Sequence, residues 1–413
     1  MMITSASGMA AQANMLGTVS DNIANASTTG YKRSTEEFST LVLQSGGADY
    51  NSGAVETHTR AFNSGQGTFE YTSSATDLAV SGQGFFVVSG PDGKTALTRA
   101  GSFVQNGDGT LVNPAGYKLL AYSAATGTNP VSNGFAGLVP VNIAALGLLA
   151  QPSTAGSLSV NLPPDAASVA AADLPSTNTP TARYTDMTSL VAYDNVGAAK
   201  TLDIYETKSA ANTWEISVFD HGAAGAAGGF PYASGPLVTS TLSFDPASGG
   251  LAASSPASIA VPVPNGATLA IDLSKTTELA TSYAVRGASV NGSAPSAVDH
   301  VEVSASGDVS AVYKNGARAT SYKIPLATVP SPDRLEVRSG NIFDPTLGSG
   351  NVIVGLPQTG SLGQLVSGAL EKSTVDVATE LTNMIESQHS YTANSKVFQT
   401  AADLMDVLIN LKR

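Results

Sequence analysis

Residues 377–411 read VATELTNMIESQHSYTANSKVFQTAADLMDVLINL, and this stretch decides how the chain is organised. Large apolar side chains recur in it every seven residues, at Val377, Met384, Tyr391, Phe398 and Met405. Five more widen the same stripe: Leu381, Ile385, Leu404, Leu408 and Leu411. A seven-residue apolar repeat predicts a long amphipathic helix with the period of a coiled coil.

The N-terminal region predicts a second, shorter helix. Met9, Leu16 and Ile23 keep the seven-residue step, Val19 falls between them, and Gly30 is the predicted stop. One apolar stripe on a helix is an unburied seam, so each helix needs a partner. Two arrangements stay open: the two helices cap a monomer by packing on one another, or they pack against neighbouring copies of the chain.

The chain between the helices predicts β-structure. Asn and Gly at 106–109 and at 314–316 supply the positive φ angles of tight turns, which indicates two β-hairpins. Short strands are predicted at 188–193, 201–207 and 213–219. Trp214 alternates there with Ile216 and Val218, which favours burial in a sheet over carbohydrate stacking.

Composition limits the classes of function. The chain has 413 residues, 42% of them hydrophobic, which is enough for two or three domains with their own cores. A net charge of −12 argues against a nucleic-acid partner, and the lack of cysteine excludes disulfides and thiolate metal sites. The sequence predicts neither membrane insertion nor a cleavable signal peptide.

The sequence offers no catalytic constellation. Its four histidines lie far apart and in different predicted modules: His58, His221, His300 and His389. Asp299 and His300 are adjacent, but no nucleophile-elbow sequence accompanies them, which favours a pair on a surface loop. We therefore predict that the protein is not an enzyme and holds no metal or cofactor.

Motifs in three regions resemble flagellar rod and hook axial proteins. Residues 21–32 (DNIANASTTGYK) resemble the N-terminal signature of that family, residues 76–88 (TDLAVSGQGFFVV) its first β domain, and residues 370–376 and 388–394 its closing segment. The matching positions are Asn22, Asn25, Gly30, Asp77, Gly82, Gly84, Val375, Asp376, Gln388 and Asn394. The chain departs from the family pattern at Asp21, Thr374 and His389.

The expected fold class is mainly β with terminal α-helices. Two β domains are predicted, one inserted in the other, together with a helical coiled-coil domain made by the two ends. The expected segments are an N-terminal helix at 1–33, a linker at 34–71 that orders against neighbouring copies, an inner β domain at 72–150 and 285–362, an inserted outer β domain at 151–284, and a C-terminal helix at 363–413.

The resemblance implies a structural subunit of the flagellar hook. Identical subunits of this family form a hollow curved tube that transmits torque as a universal joint. The implied partners are the rod, hook-cap and hook-filament junction proteins and the flagellar type III export apparatus, and the implied location is the extracellular hook. The subunit interface is expected at Met9, Leu16, Val19, Ile23, Val377, Leu381, Met384, Tyr391, Phe398, Met405 and Leu408.

Further expectations separate the hook subunit from its rivals. Both ends are expected to be mobile in the monomer, because their apolar seams gain burial only when neighbours arrive. A rod subunit would share both ends but have little between residues 141 and 284. A glycan-binding β-rich module is the alternative from a different class.

Overall fold

The computed structural model describes residues 2–42, 52–126, 131–225 and 228–411. Helix α1 (Met2–Ala24) begins the described chain and helix α2 (Val377–Leu411) ends it, with β-strands between them. The predicted fold class, mainly β with terminal helices, is confirmed. The chain divides into unit 1 (Met1–Leu146, Asp299–Val312 and Ala317–Arg413) and unit 2 (Gly147–Val298 and Tyr313–Gly316).

Unit 1 contains both helices and two groups of strands. The first group is β1 (Ser34–Val42), β2 (Ser52–Ala61), β3 (Phe69–Tyr71), β4 (Leu78–Ser81), β5 (Phe85–Ser89), β6 (Thr95–Thr98), β7 (Val104–Gln105), β8 (Leu111–Val112), β9 (Lys118–Ser123) and β10 (Leu138–Pro140). The strands of unit 2 follow in the chain and are β11 (Leu149–Gln151), β12 (Ala155–Leu162), β13 (Asp186–Tyr193), β14 (Ala199–Ala210), β15 (Thr213–Asp220), β16 (Val238–Ser243), β17 (Ser258–Pro262), β18 (Thr268–Asp272), β19 (Thr277–Glu278), β20 (Ala284–Val290) and β21 (Ser293–Ser296). The second group of unit 1 is β22 (Val298–Val303), β23 (Asp308–Tyr313), β24 (Arg318–Lys323), β25 (Leu326–Thr328), β26 (Glu336–Arg338), β27 (Ile342–Asp344), β28 (Ile353–Gly355), β29 (Gln364–Ser367) and β30 (Ala369–Glu371).

The main sheet of unit 1 runs in the order β22-β23-β24-β9-β5-β6-β27-β26. Both predicted hairpins are confirmed, since β7 pairs antiparallel with β8 and β23 with β24. Strand β5 is buried on both faces: Phe85 packs on Phe343 and Phe86 on Phe103. A strand covered on both faces reads as a continuous apolar run, which explains the sequence FFVV at 85–88.

Unit 2 is built from two sheets around one core. One sheet has the order β13-β14-β15-β16, and the other has the order β17-β18-β12-β19 with β20 on β12. Trp214 is fully buried in this core, as its alternation with Ile216 and Val218 predicts. Its indole Nε1–H donates to Glu278 Oε1 at 3.1 Å, so the one polar atom of the ring is paired.

The residues expected to form a linker are structured. Strands β1 and β2 form an antiparallel ribbon, and this ribbon packs on α1 of the same chain. The hydroxyls of Thr18 and Thr59 both donate to Glu36 Oε1, at 2.9 and 2.6 Å. Because this contact is made by polar side chains, no apolar pattern in the sequence predicted that the ribbon packs on α1. Residues 43–51 of the expected linker lie outside the described residues.

Two expected boundaries and one expected loop differ in the structure. The expected C-terminal helix at 363–413 begins only at Val377, because residues 364–371 form β29 and β30, which pair with β4 and β3. Unit 2 extends past residue 284, since β20 pairs with β12 along most of its length. The Asp299–His300 pair lies on strand β22 and not on a loop.

Candidate assembly interface

The two terminal helices of unit 1 pack antiparallel. Arg33, shortly after α1, is 2.5 Å from Glu380 in the first turn of α2, and Gly8 near the start of α1 faces Asn394. At 1.5 Å per residue α1 is about 35 Å long and α2 about 52 Å. Residue 2 is therefore level with about residue 400, and the last turns of α2 pass beyond the N-terminus of α1.

The face of α2 that packs on α1, called the seam from here on, is not the predicted apolar stripe. The α2 positions buried there repeat every seven residues but start three residues after Val377: Glu380, Ser387 and Ala401 are buried, and Asn394 contacts Gly8. A Cβ added to Gly8 would lie 2.9 Å from Asn394 Nδ2. Small and polar residues thus let the helices approach closely, while the large apolar residues lie along the edge of the seam.

The α1 residues singled out from the sequence are buried to different degrees. Val19 is buried, whereas Met9, Leu16 and Ile23 are half-buried. Within one chain the two helices therefore pack on one another, which is one of the two arrangements that the sequence left open. This contact covers only part of their apolar surface.

A large apolar surface on α2 remains exposed. Val377, Leu381 and Ile385 are between 42% and 56% exposed along its first half. Beyond the N-terminus of α1 the exposed apolar residues cover more than half of the circumference of α2: Leu404, Met405, Val407, Leu408 and Ile409. Contiguous apolar surface of this kind marks a protein interaction site.

The signature tract, residues 21–32, contains the last turn of α1 and leads the chain back toward the strands. The Asn22 side chain donates to Ser34 O at 2.7 Å, and its Oδ1 accepts from Ser34 N and the Tyr31 hydroxyl. Asn25 Nδ2 donates to Asp21 O at the end of α1. Gly30 has φ +69°, and a Cβ there would lie 2.7 Å from Ala100 N, so only glycine fits.

The inner motif positions shape the backbone of unit 1. Gly82 and Gly84 have φ angles of +99° and +124°, a backbone conformation that favours glycine at both positions. Asp77 accepts from the Thr72 hydroxyl at 2.8 Å, and its carbonyl accepts from Gly368 N.

The motif positions near α2 have different surroundings. Asp376 caps the helix, because its Oδ1 accepts from Thr379 N at 2.9 Å, and this bond lowers the pKa of the Asp376 carboxyl. Val375 lies just before this cap, and its backbone N–H donates to Ser373 Oγ. Gln388 is exposed, and Asn394 faces α1.

Sequence reasoning missed the buried charges of this region. Lys32, Arg99, Glu371 and Glu380 are all buried, although charged residues make up only 13% of the chain. The available signal was the presence of Lys32 and Glu371 inside the two terminal motifs. In the described ranges no group of three or more His, Asp or Glu side chains could hold a metal ion, and no helix is long and apolar enough to cross a membrane.

Protein-family models match most of the chain. The matches are "Flagella basal body rod protein" at residues 2–32, "Flagellar hook protein FlgE/F/G D1 domain" at 79–172, "Flagellar basal body protein FlaE D2 domain" at 161–293 and "Flagellar basal body rod FlgEFG protein C-terminal" at 366–411. The match at 161–293 falls in the segment that a rod subunit was expected to lack, so the rod and glycan-binding alternatives are not favoured.

Relatives of known identity match from end to end. The chain is 48% identical over 413 residues to the flagellar hook protein FlgE of Brucella abortus, covering 100% of this chain and 99% of the relative. It is 45% identical to FlgE of Rhizobium meliloti, covering 100% and 98%. It is 28% identical to FlgE of Salmonella typhimurium, covering 98% of each. The chain therefore belongs to the flagellar hook protein family.

Proposed function

We propose that this chain, a structural subunit of the flagellar hook, assembles through its terminal helices into a hollow curved tube that works as a universal joint between motor and filament. The observation that supports this proposal is the apolar surface of α2 that its own chain leaves uncovered, above all Leu404, Met405 and Leu408. A neighbouring copy is the partner that can bury this surface, since a helical assembly presents the same surfaces repeatedly.

The remaining parts of the proposal concern partners and location. The interface includes the apolar positions Met9, Leu16, Val19 and Ile23 of α1 together with the predicted stripe of α2. The tube contacts rod, hook-cap and hook-filament junction proteins, and the chain reaches the extracellular hook through the flagellar type III export apparatus. It catalyses no reaction and inserts into no membrane. The subunit has three domains: the helical ends, the inner β domain and the inserted outer β domain.

The test is assembly of purified protein, followed by electron microscopy and sedimentation. The full-length chain is expected to form hollow tubes, and a chain lacking the residues before Lys32 and after Gly368 is expected to remain a monomer. Assembly of both chains, or of neither under any condition, would contradict the proposal.

A point variant tests the end of α2 by itself. Leu408→Gln removes an exposed apolar side chain and is expected to slow or abolish tube formation while leaving the monomer folded. Asn410→Gln is the matched control, because it places the same residue two positions away and keeps the side chain polar. Equal assembly of the two variants would exclude this end of α2 from the interface.

A further inference from the structure

Three charged side chains meet in the interior of unit 1, where the signature tract, the end of β6 and the end of β30 converge. Lys32 Nζ lies 2.5 Å from Glu371 Oε1, and Arg99 Nη1 lies 3.2 Å from Glu371 Oε2. The three side chains are between 0% and 3% exposed. Two desolvated cations therefore depend on one carboxylate, and no surface water can replace it.

Backbone groups complete the surroundings of the cluster. Lys32 Nζ also donates to Gly65 O at 2.6 Å, and Arg99 Nη2 donates to Gly82 O at 2.9 Å. Glu371 Oε1 accepts a further bond from Gly67 N at 2.8 Å. The guanidinium group of Arg99 lies 5.1 Å from the centre of the Phe85 ring. Each of these hydrogen bonds fixes the direction from donor to acceptor, whereas apolar packing has no preferred direction.

The same cluster lies at the base of both helices. The carbonyl of Glu371 accepts from Gly30 N at 2.8 Å, and six residues later α2 begins. Next to it, Arg33 N donates to Thr374 Oγ1 at 2.9 Å and Arg33 Nε binds Glu380 Oε1. These contacts bind the segment that follows α1 to the segment that precedes α2, and bind both segments to the strands of unit 1.

We propose that Glu371 is a positioning residue for assembly, which sets the angle at which α1 and α2 leave the strands of unit 1. The seam between the helices contains small and polar residues, so it does not fix this angle by interlocking large side chains. A buried carboxylate shared by two cations tolerates little displacement, because any movement leaves a buried charge unpaired. The inference rests on the proposed function. In a tube of identical subunits, a change in this angle would be repeated at every contact between subunits.

Distances between spin labels test the proposal directly. The chain contains no cysteine, so Lys94→Cys on the turn between β5 and β6 and Glu386→Cys on α2 give one label pair in the full-length protein. In this background Glu371→Gln keeps the shape of the side chain and removes its charge. We expect its distance distribution, measured by double electron–electron resonance, to shift or to widen about twofold. Glu70→Gln is the matched control, because Glu70 forms an exposed pair with Lys372 beside Glu371.

A second variant and a second measurement keep the outcomes distinct. Lys32→Met leaves the Arg99–Glu371 pair intact and replaces Glu371→Gln as the test variant if Glu371→Gln does not fold. We expect it to shift the distance between the spin labels by less than Glu371→Gln would. Unchanged distances in both variants would overturn the proposal, as would tubes of wild-type yield and curvature from Glu371→Gln. If the unaltered chain forms no tubes, the proposed function fails, and the distances alone decide the role of Glu371.

Discussion

Glu206 in unit 2 is a buried carboxyl group without a hydrogen-bond partner of normal geometry among the described residues. It lies on β14 directly opposite Asp186 on β13. Burial, and then the nearby charge of Asp186, raises the pKa of the Glu206 carboxyl well above its usual range. Because an ionised carboxylate in this position would be unpaired, the folded protein holds the group in its neutral form.

This burial makes the stability of unit 2 depend on pH. The folded state binds the Glu206 proton more tightly than the unfolded state, so its contribution is fully present below the unfolded pKa of about 4.5 and is lost as the pH rises toward the folded pKa. Glu206→Gln is expected to unfold like the unaltered protein near pH 4 and to be more stable at pH 7 to 8. The difference grows by up to about 1.4 kcal/mol per pH unit, and Trp214 fluorescence during denaturation measures it.

Glu215 on the neighbouring strand provides the control. It is also buried, but its carboxylate accepts from Ser176 N and from the hydroxyls of Ser176 and Ser217. Glu215→Gln replaces an acceptor by a donor and is expected to destabilise unit 2 by about 1 to 3 kcal/mol. A loss of stability in Glu206→Gln at pH 8 would show that Glu206 is needed as a carboxylate.

At the scale of elements, two glycines at and after α1 have opposite roles. Gly30 has a positive φ and lies against the backbone of Arg99 and Ala100, whereas Gly17 lies within α1 with open space around it. Gly30→Ala is expected to destabilise unit 1 by about 1 to 3 kcal/mol, because of backbone strain and a steric clash. Gly17→Ala is expected to stabilise it by about 0.5 to 1 kcal/mol. Circular dichroism during thermal unfolding distinguishes the two, and equal effects would contradict this assignment.

At the scale of the whole molecule, the core around Trp214 is formed by residues between 158 and 290, all within unit 2. Removing the residues before Lys32 and after Gly368 is therefore expected to shift the Trp214 unfolding midpoint by no more than about 2 °C. Leu202→Ala in this core is the positive control, with a loss of about 2 to 5 kcal/mol. A large shift in the truncated chain would mean that unit 2 depends on the ends for its stability.

Short-range patterns in the sequence were sufficient for the helices and the hairpins. The seven-residue repeat predicted α2, the Asn–Gly turns predicted β7–β8 and β23–β24, and the alternation around Trp214 predicted its burial. Each of these features depends on residues only a few positions apart, so periodicity and turn chemistry express it directly. The family motifs added the assignment to the rod and hook proteins, which the comparisons confirm.

Tertiary structure decided the features that join distant parts of the chain. The face of α2 that meets α1 carries Ser387, Asn394 and Ala401 and not the large apolar stripe, and a side chain at Gly8 would collide with Asn394. The ribbon of β1 and β2 is ordered by polar contacts with α1 that leave no apolar pattern. Lys32 and Glu371 are 339 positions apart, so their pairing exists only once the chain has folded. Local patterns thus specify which elements form and to which family the chain belongs, whereas packing specifies which faces meet, since a local pattern carries no information about a distant partner.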